Sequence, residues 1–125
     1  MGLTHKILLV KESRRAAPSK EVEFLIDSGA IHTLVPKAAL SELGIEAYKQ
    51  VKIGLADGNT VVRQVGDAYF EYQGNGGAAP VIFGEDGDEP LLGATTLESL
   101  GLVLNPLRRE LYPMRMMLAR TNLTE

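Results

Sequence analysis

Asp27 ends an apolar run, Phe24-Leu25-Ile26, and is followed at once by Ser28-Gly29-Ala30. An ionisable carboxylate delivered by such a run is expensive unless a partner or a reaction uses it. The residues after it are those a tight turn needs: a hydroxyl to bond the backbone locally, and a glycine free to take positive φ. The commonest use of Asp-Ser-Gly is a turn or helix cap. The chemical alternative is proton transfer. Hydrolysis of a peptide bond by carboxylates takes two of them at close range. Sharing one proton, one is base toward water and the other acid toward the carbonyl oxygen, because like charges so close do not both ionise.

The elements that must position Asp27 are short. Lys6 to Val10 reads as a strand, followed by a polar loop from Lys11 to Lys20. Val22, Phe24 and Ile26 alternate with Glu21, Glu23 and Leu25, the pattern of a half-buried strand running into Asp27. Thr33 to Val35 continues extended. Pro36 suits the first position of a short helix, Lys37 to Leu43, ended by Gly44. Val51 to Leu55 and Thr60 to Val62 flank the turn signal Asp57-Gly58. Gly66 is expected to mark a bend or bulge before a strand over Asp67 to Tyr72. Gly74-Asn75-Gly76-Gly77 reads as a turn, Val81 to Phe83 as a strand and Glu85 to Glu89 as an acidic loop. Thr95 and Glu98 have capping-box spacing, which predicts a helix over Thr96 to Leu100 closed by Gly101. Val103-Leu104, Leu111-Tyr112 and Arg115 to Leu118 supply the last strands, before a frayed end. Many short strands with two brief helices predict a mostly-β domain.

Two stretches share an order of parts. Leu25 to Ile45 and Leu91 to Leu102 each run through two apolar residues, a glycine-alanine turn, a short helix and Leu-Gly-(Ile/Leu). Leu40-Ser41-Glu42-Leu43-Gly44-Ile45 and Leu97-Glu98-Ser99-Leu100-Gly101-Leu102 are near copies, which points to an internal pseudo-twofold. Any two capped helices that lead into strands share part of this pattern. Only the first copy carries an aspartate; Leu92-Gly93 holds the corresponding place in the second. One carboxylate per chain and two per reaction make a twofold homodimer, with Asp27 facing its counterpart on the axis, the economical arrangement.

Composition narrows the setting. A chain of 125 residues is expected to form one domain, with residues 1–20 as N-terminal strand and loop and 114–125 as C-terminal tail. Apolar content of 45% and charged content of 23% are ordinary for a soluble globular protein. The net charge of −3, with Lys and Arg scattered, gives no electrostatic case for nucleic acid or an anionic membrane. Arg14-Arg15 and Arg108-Arg109 read as surface charges in loops. With no cysteine there are neither disulfides nor thiolate metal sites, which fits a reducing compartment. Ile7 to Val10 is too short for a signal-peptide core, and no segment approaches a membrane span, so the expected location is cytoplasmic. His5 and His32 are too few for a metal site, and Glu85 to Glu89 lacks the spacing of a calcium loop. Neither metal nor organic cofactor is expected.

Asp27-Ser28-Gly29-Ala30, together with Pro90-Leu91-Leu92-Gly93-Ala94 near the C-terminus, resembles the retropepsin-like (retroviral-type) aspartic proteases. The resemblance covers about Glu21 to Pro113. Leu-Ala-Asp-Gly-Asn and Leu-Leu-Gly-Ala-Thr-Thr-Leu are similar to the short prokaryotic single-domain members. The resemblance implies an all-β acid-protease fold, a closed barrel that works as a homodimer. Asp27 is then the catalytic acid/base, and the Ser28 hydroxyl braces the two active-site turns across the dimer axis. Gly29 offers backbone to the substrate, and Ala30 borders a subsite. Leu91-Leu92-Gly93 matches the family's apolar-apolar-Gly element, and Ile53 to Val65, tipped by Asp57-Gly58-Asn59, matches its flap. Such a hairpin is a sensible lid, mobile at the tip and anchored at both ends.

Viral members usually follow the active-site Ala with an Asp and the second Gly with an Arg. Ile31 and Ala94 stand at these positions, so the viral charge network at the dimer interface is expected to be absent. The flap is also less glycine-rich. The implied substrate is an extended peptide with apolar side chains, held by Ala30, Ile31, Ile53, Leu91, Leu92 and Gly93. Two other readings stand beside the endopeptidase: a non-catalytic peptide-binding or dimerisation module on the same fold, and a protease subunit acting inside a larger assembly.

Overall fold

The computed structural model describes residues 4–16 and 18–114. The chain runs β1 (Thr4–Lys11), β2 (Ser19–Ile26), β3 (Thr33–Pro36), α1 (Lys37–Glu42), β4 (Lys49–Gly54), β5 (Thr60–Tyr72) and β6 (Asn75–Gly84). It continues through β7 (Leu91–Leu92), α2 (Ala94–Leu100), β8 (Leu102–Asn105) and β9 (Glu110–Pro113). The domain is mostly β with two short helices, as its alternating sequence predicts. The expected strand over Arg115 to Leu118 and the C-terminal tail beyond Met114 lie outside the described residues.

Seven strands form one sheet in the order β1-β2-β7-β3-β6-β5-β4, and β1 also pairs with β5. The pairing path therefore returns from β5 to β1, leaving β4 attached to β5 alone. Burial follows the pleat. Leu8 and Val10 of β1, Val22, Phe24 and Ile26 of β2 and Phe70 of β5 point inward, and the Phe24 and Phe70 rings lie 6.1 Å apart in a tilted pair. Both helices close over this core. Leu40, Leu43 and Ile45 seal it from the first copy of the repeated pattern, and Leu97, Leu100 and Leu102 from the second. Gly44 and Gly101 end the helices with φ of +78° and +68°, a conformation that L side chains rarely adopt. The two copies are not identical in build: β3 intervenes between turn and helix in the first, whereas α2 starts directly after Gly93 in the second.

Several local expectations are corrected. Gly66 marks no bulge, since β5 keeps an unbroken register with β6 through Val65↔Ile82, Gly66↔Val81 and Asp67↔Pro80. The residue is glycine because a Cβ there would sit 2.9 Å from the Glu46 carbonyl oxygen and 3.0 Å from the Phe83 ring. The predicted four-residue turn at Gly74 is a two-residue one. Gln73 and Gly74 both have positive φ, the type I′ geometry that suits strand twist, while Gly76 and Gly77 belong to β6. Gly77 passes against the backbone of Ser99 in α2, an approach that a side chain would block. Pro36 is the N-cap residue of α1 and not its first helical residue. The capping box at Thr95 is absent as well. α2 begins two residues earlier, with Gly93 as its N-cap and no side-chain cap, because the loop after Asp27 supplies the acceptors.

Candidate active site

The apolar face of β2 is buried up to Ile26, and Asp27 leaves the sheet into solvent. The position is set by backbone pairing, not by the side chain. β7 lies parallel to the end of β2, with Leu25 opposite Leu91 and Ile26 opposite Leu92. The Leu25 amide donates to the Pro90 carbonyl at 3.0 Å, and the Asp27 amide to the Leu92 carbonyl at 2.9 Å. The turn then closes on itself. The Ala30 amide donates to the Asp27 carbonyl at 3.1 Å, and the Gly29 amide to Asp27 Oδ1 at 3.0 Å. One carboxylate oxygen is thus held by the turn, and Asp27, Ser28 and Gly29 are all exposed.

The outgoing strand of the turn is tied to α2. The Ala94 amide donates to the Ala30 carbonyl at 2.7 Å, and the Thr95 amide to the Ile31 carbonyl at 3.2 Å. These bonds satisfy helix N-terminal donors that a side-chain cap would otherwise serve. Gly93 has no room for a side chain, since a Cβ there would press on the carbonyl oxygens of His32 and Ala30. Its amide donates to Thr33 Oγ1 at 2.9 Å, and Thr33 Oγ1 lies 2.5 Å from Thr96 Oγ1. Both threonines are fully buried. This pair, unnoticed in the sequence, locks the loop after Asp27 to the loop after Leu92. No spacing rule announces it; Thr33 looks like an ordinary strand residue until β3 and α2 are brought together. Thr33→Val, which keeps the shape, is expected to strand the buried Gly93 amide and lower stability by about 1–3 kcal/mol in urea unfolding.

The structure also sorts the residues expected to line a cleft. Ala30 is half-buried beside the turn, and Ile31 stands 66% exposed, an unusual state for isoleucine. Leu91 is half-buried. Leu92 is 0% exposed and packs in the core, so its side chain lines no cleft; its part in the site is the carbonyl that accepts from Asp27. Gly93 is likewise buried, and acts through its amide and the space it leaves.

Asp57, Gly58 and Asn59 form the tip of the β4–β5 hairpin. Gly58 has φ +89°, Asp57 Oδ1 accepts the Asn59 amide at 2.9 Å, and the Leu55 amide donates to the Asn59 carbonyl at 2.7 Å. Ile53 is half-buried, while Leu55 and Val62 of the same hairpin stand about half in water. Between the base of this hairpin and the outgoing end of the Asp27 loop lies a cavity of about 180 Å³. Its walls include Val51, Val65, Val81 and Ile82, with His32 and Thr95 on the loop side. His32, too isolated in the sequence to suggest a metal site, borders an apolar hollow. The acidic loop is held by side-chain contacts: Glu85 pairs with Lys37 at 3.0 Å and Asp88 with Arg63 at 2.8 Å, and Glu89 lies 3.4 Å from His5 Nε2.

The fold that carries this aspartate turn is similar to that of a retroviral protease. Among solved structures, EIAV protease in complex with the inhibitor HBY-793 is similar at a TM-score of 0.61 and 18% identity, with 94% of each chain covered. The sequence profile of the aspartyl protease family matches residues 18–96, a span that holds both Asp27 and Gly93. The chain belongs to that aspartyl protease family. No curated protein matches it.

Proposed function

We propose that the chain is an aspartic endopeptidase whose site forms from two copies, Asp27 of one protomer facing Asp27 of the other. The observation that carries this reading is the geometry of the turn. Asp27 sits exposed at a strand end, one oxygen held by the Gly29 amide, its backbone fixed on both sides by β7 and α2. One chain supplies one such carboxylate, and peptide hydrolysis by this chemistry takes two. The bared side chain of Ile31 beside the turn supports cover by a second copy or by substrate. In the assembled site the pair shares one proton. The ionised member takes a proton from water as it attacks the carbonyl carbon, and the protonated member gives its own to the carbonyl oxygen. Proton transfer to the amine nitrogen then releases the two peptide halves. Ser28 of each turn braces the other, and the Gly29 backbone holds the peptide.

The β4–β5 hairpin is the cover over this site. Its exposed Leu55 and Val62, the half-buried Ile53 and the apolar hollow at its base support an extended peptide rich in apolar side chains as substrate. No metal or organic cofactor enters the chemistry.

The test is peptide cleavage as a function of pH, with and without a chelator. A bell-shaped profile with an acid-side to near-neutral optimum is expected, because protonating both aspartates removes the base and deprotonating both removes the acid. Its limbs belong to the coupled pair and not to either residue. A statine-like inhibitor with a hydroxyl at the attacked carbonyl should bind best where the shared proton is present. Cleavage that climbs steadily into alkali, or disappears with chelator, rejects the dyad.

A further inference from the structure

The β4–β5 hairpin is weakly held. β5 pairs with β6 only from Val65 onward, so Lys49 to Gln64 form a two-stranded arm whose ladder bonds run only within itself. Polar side-chain contacts at the tip, Asp57 with Asn59, are also internal to the arm. Among the described residues one side-chain pair ties this arm to the rest of the protein. Arg63 Nε donates to Asp88 Oδ2 at 2.8 Å and Arg63 Nη2 to Asp88 Oδ1 at 3.2 Å. The pair is bidentate, and the two side chains are only 17% and 24% exposed.

The far end of this tie leads to the candidate active site. Asp88 Oδ2 also accepts the Glu85 amide at 2.8 Å, which fixes the shape of the loop between β6 and β7. Two residues on, the Pro90 carbonyl accepts the Leu25 amide, and Leu92 accepts the amide of Asp27. The Arg63–Asp88 contact, the short run of chain from Asp88 to Leu92 and its bonds to Leu25 and Asp27 therefore link the base of the arm to the strand that delivers the aspartate.

We propose that Arg63 and Asp88 are positioning residues, a strut that sets the height of the β4–β5 arm above the Asp27 turn and so governs how tightly peptide is held. The kinetic side of this proposal rests on the protease reading; the mechanical side does not. Neither residue touches the reacting atoms. An exposed ion pair contributes little, but a forked, half-buried one, the single polar side-chain tie of a narrow arm among the described residues, limits the arm's freedom directly. The strut also suits an acid-side enzyme. The Arg63 guanidinium, assisted by the Glu85 amide, holds the Asp88 carboxyl below its usual range against the opposing effect of burial. Asp88, and to a smaller extent Glu85, itself paired with Lys37, favour the charged form of Arg63 against the opposing effect of burial. A depressed carboxylate contributes its stabilisation above its unfolded value and loses it only as pH falls through the lower folded one. The arm thus stays tied through mildly acidic solution.

The experiment has two readouts. Hydrogen exchange is measured on the Asp27→Asn chain, alone and with Arg63→Met or Asp88→Asn added, so that it needs no activity. Amides of residues 49–64 are expected to exchange about tenfold faster in either variant, while β1 and β2 keep their protection. Steady-state cleavage of an apolar peptide by chains that keep Asp27 is the second readout. Each variant is expected to raise KM about fivefold with kcat within about twofold, and the double variant to do no worse than either single one. Arg63→Lys, which keeps charge but loses the fork, should fall between and serves if Arg63→Met does not fold. Unchanged exchange in the arm overturns the strut. Faster exchange with unchanged KM overturns its role in holding peptide. Faster exchange in a chain whose Asp27 form cleaves nothing keeps the strut and rejects the protease reading.

Discussion

Asp27→Asn is expected to lower peptide cleavage by roughly a hundred- to ten-thousandfold, the range that general acid–base catalysis supplies. The chain should otherwise be unchanged. Asp27 Oδ1 accepts the Gly29 amide, and the Oδ1 of asparagine accepts the same bond, so the turn survives. The replaced oxygen lies on an exposed residue, where substitutions move stability by about 0.5 kcal/mol or less. Thermal unfolding and sedimentation should therefore match the parent while kcat collapses. A variant that cleaves within a few-fold of the parent makes the aspartate a turn residue and the chain a peptide-binding module on a protease fold.

The second large effect concerns concentration. If each site needs two chains, activity per chain falls on dilution through the monomer–dimer transition, since association supplies half of the catalytic groups. Asp27→Asn chains should then poison the parent. At roughly a ninefold excess of variant, activity per parent chain is expected to fall to about one tenth, the chance that a parent chain meets another parent. Both measurements need only a peptide assay and a sedimentation profile over the same concentrations. Constant activity per chain across the transition, or no effect of the variant chains, places a complete site within one chain. The absent viral charges at Ile31 and Ala94 bear on this experiment. If a dimer forms without that network, raising the salt is expected to weaken it little.

How much of this could be read from the residues follows from the range of the forces involved. The alternation of Val22, Phe24 and Ile26 ahead of Asp27 is a local pattern, because burial of one strand face imposes a period of two. It placed β2, its inward face and the turn. The turn at Asp57-Gly58 and the helix stop at Gly101 are equally local, since positive φ selects glycine wherever it occurs. The repeated Leu-Gly ends of the helices were visible for the same reason. Contacts between distant segments were not. The capping box at Thr95 has the right spacing, yet the Thr95 amide that Glu98 would have reached donates to the Ile31 carbonyl, and the helix starts at Ala94. Leu92 reads as a cleft residue beside a catalytic turn, but the parallel pairing with Ile26 turns its side chain into the core. Gly66, Gly76 and Gly77 read as bends and turns, whereas Glu46, Tyr69 and Ser99 crowd them inside regular strands. The sequence by itself determined which aspartate is presented and that one chain holds only one. Tertiary structure alone decided what holds it: the Thr33–Thr96 clamp, the carbonyl of Leu92 and the Arg63–Asp88 tie each join residues far apart in the chain. Their donors and acceptors carry no periodicity, so only the packing of the sheet around one core brings them into reach.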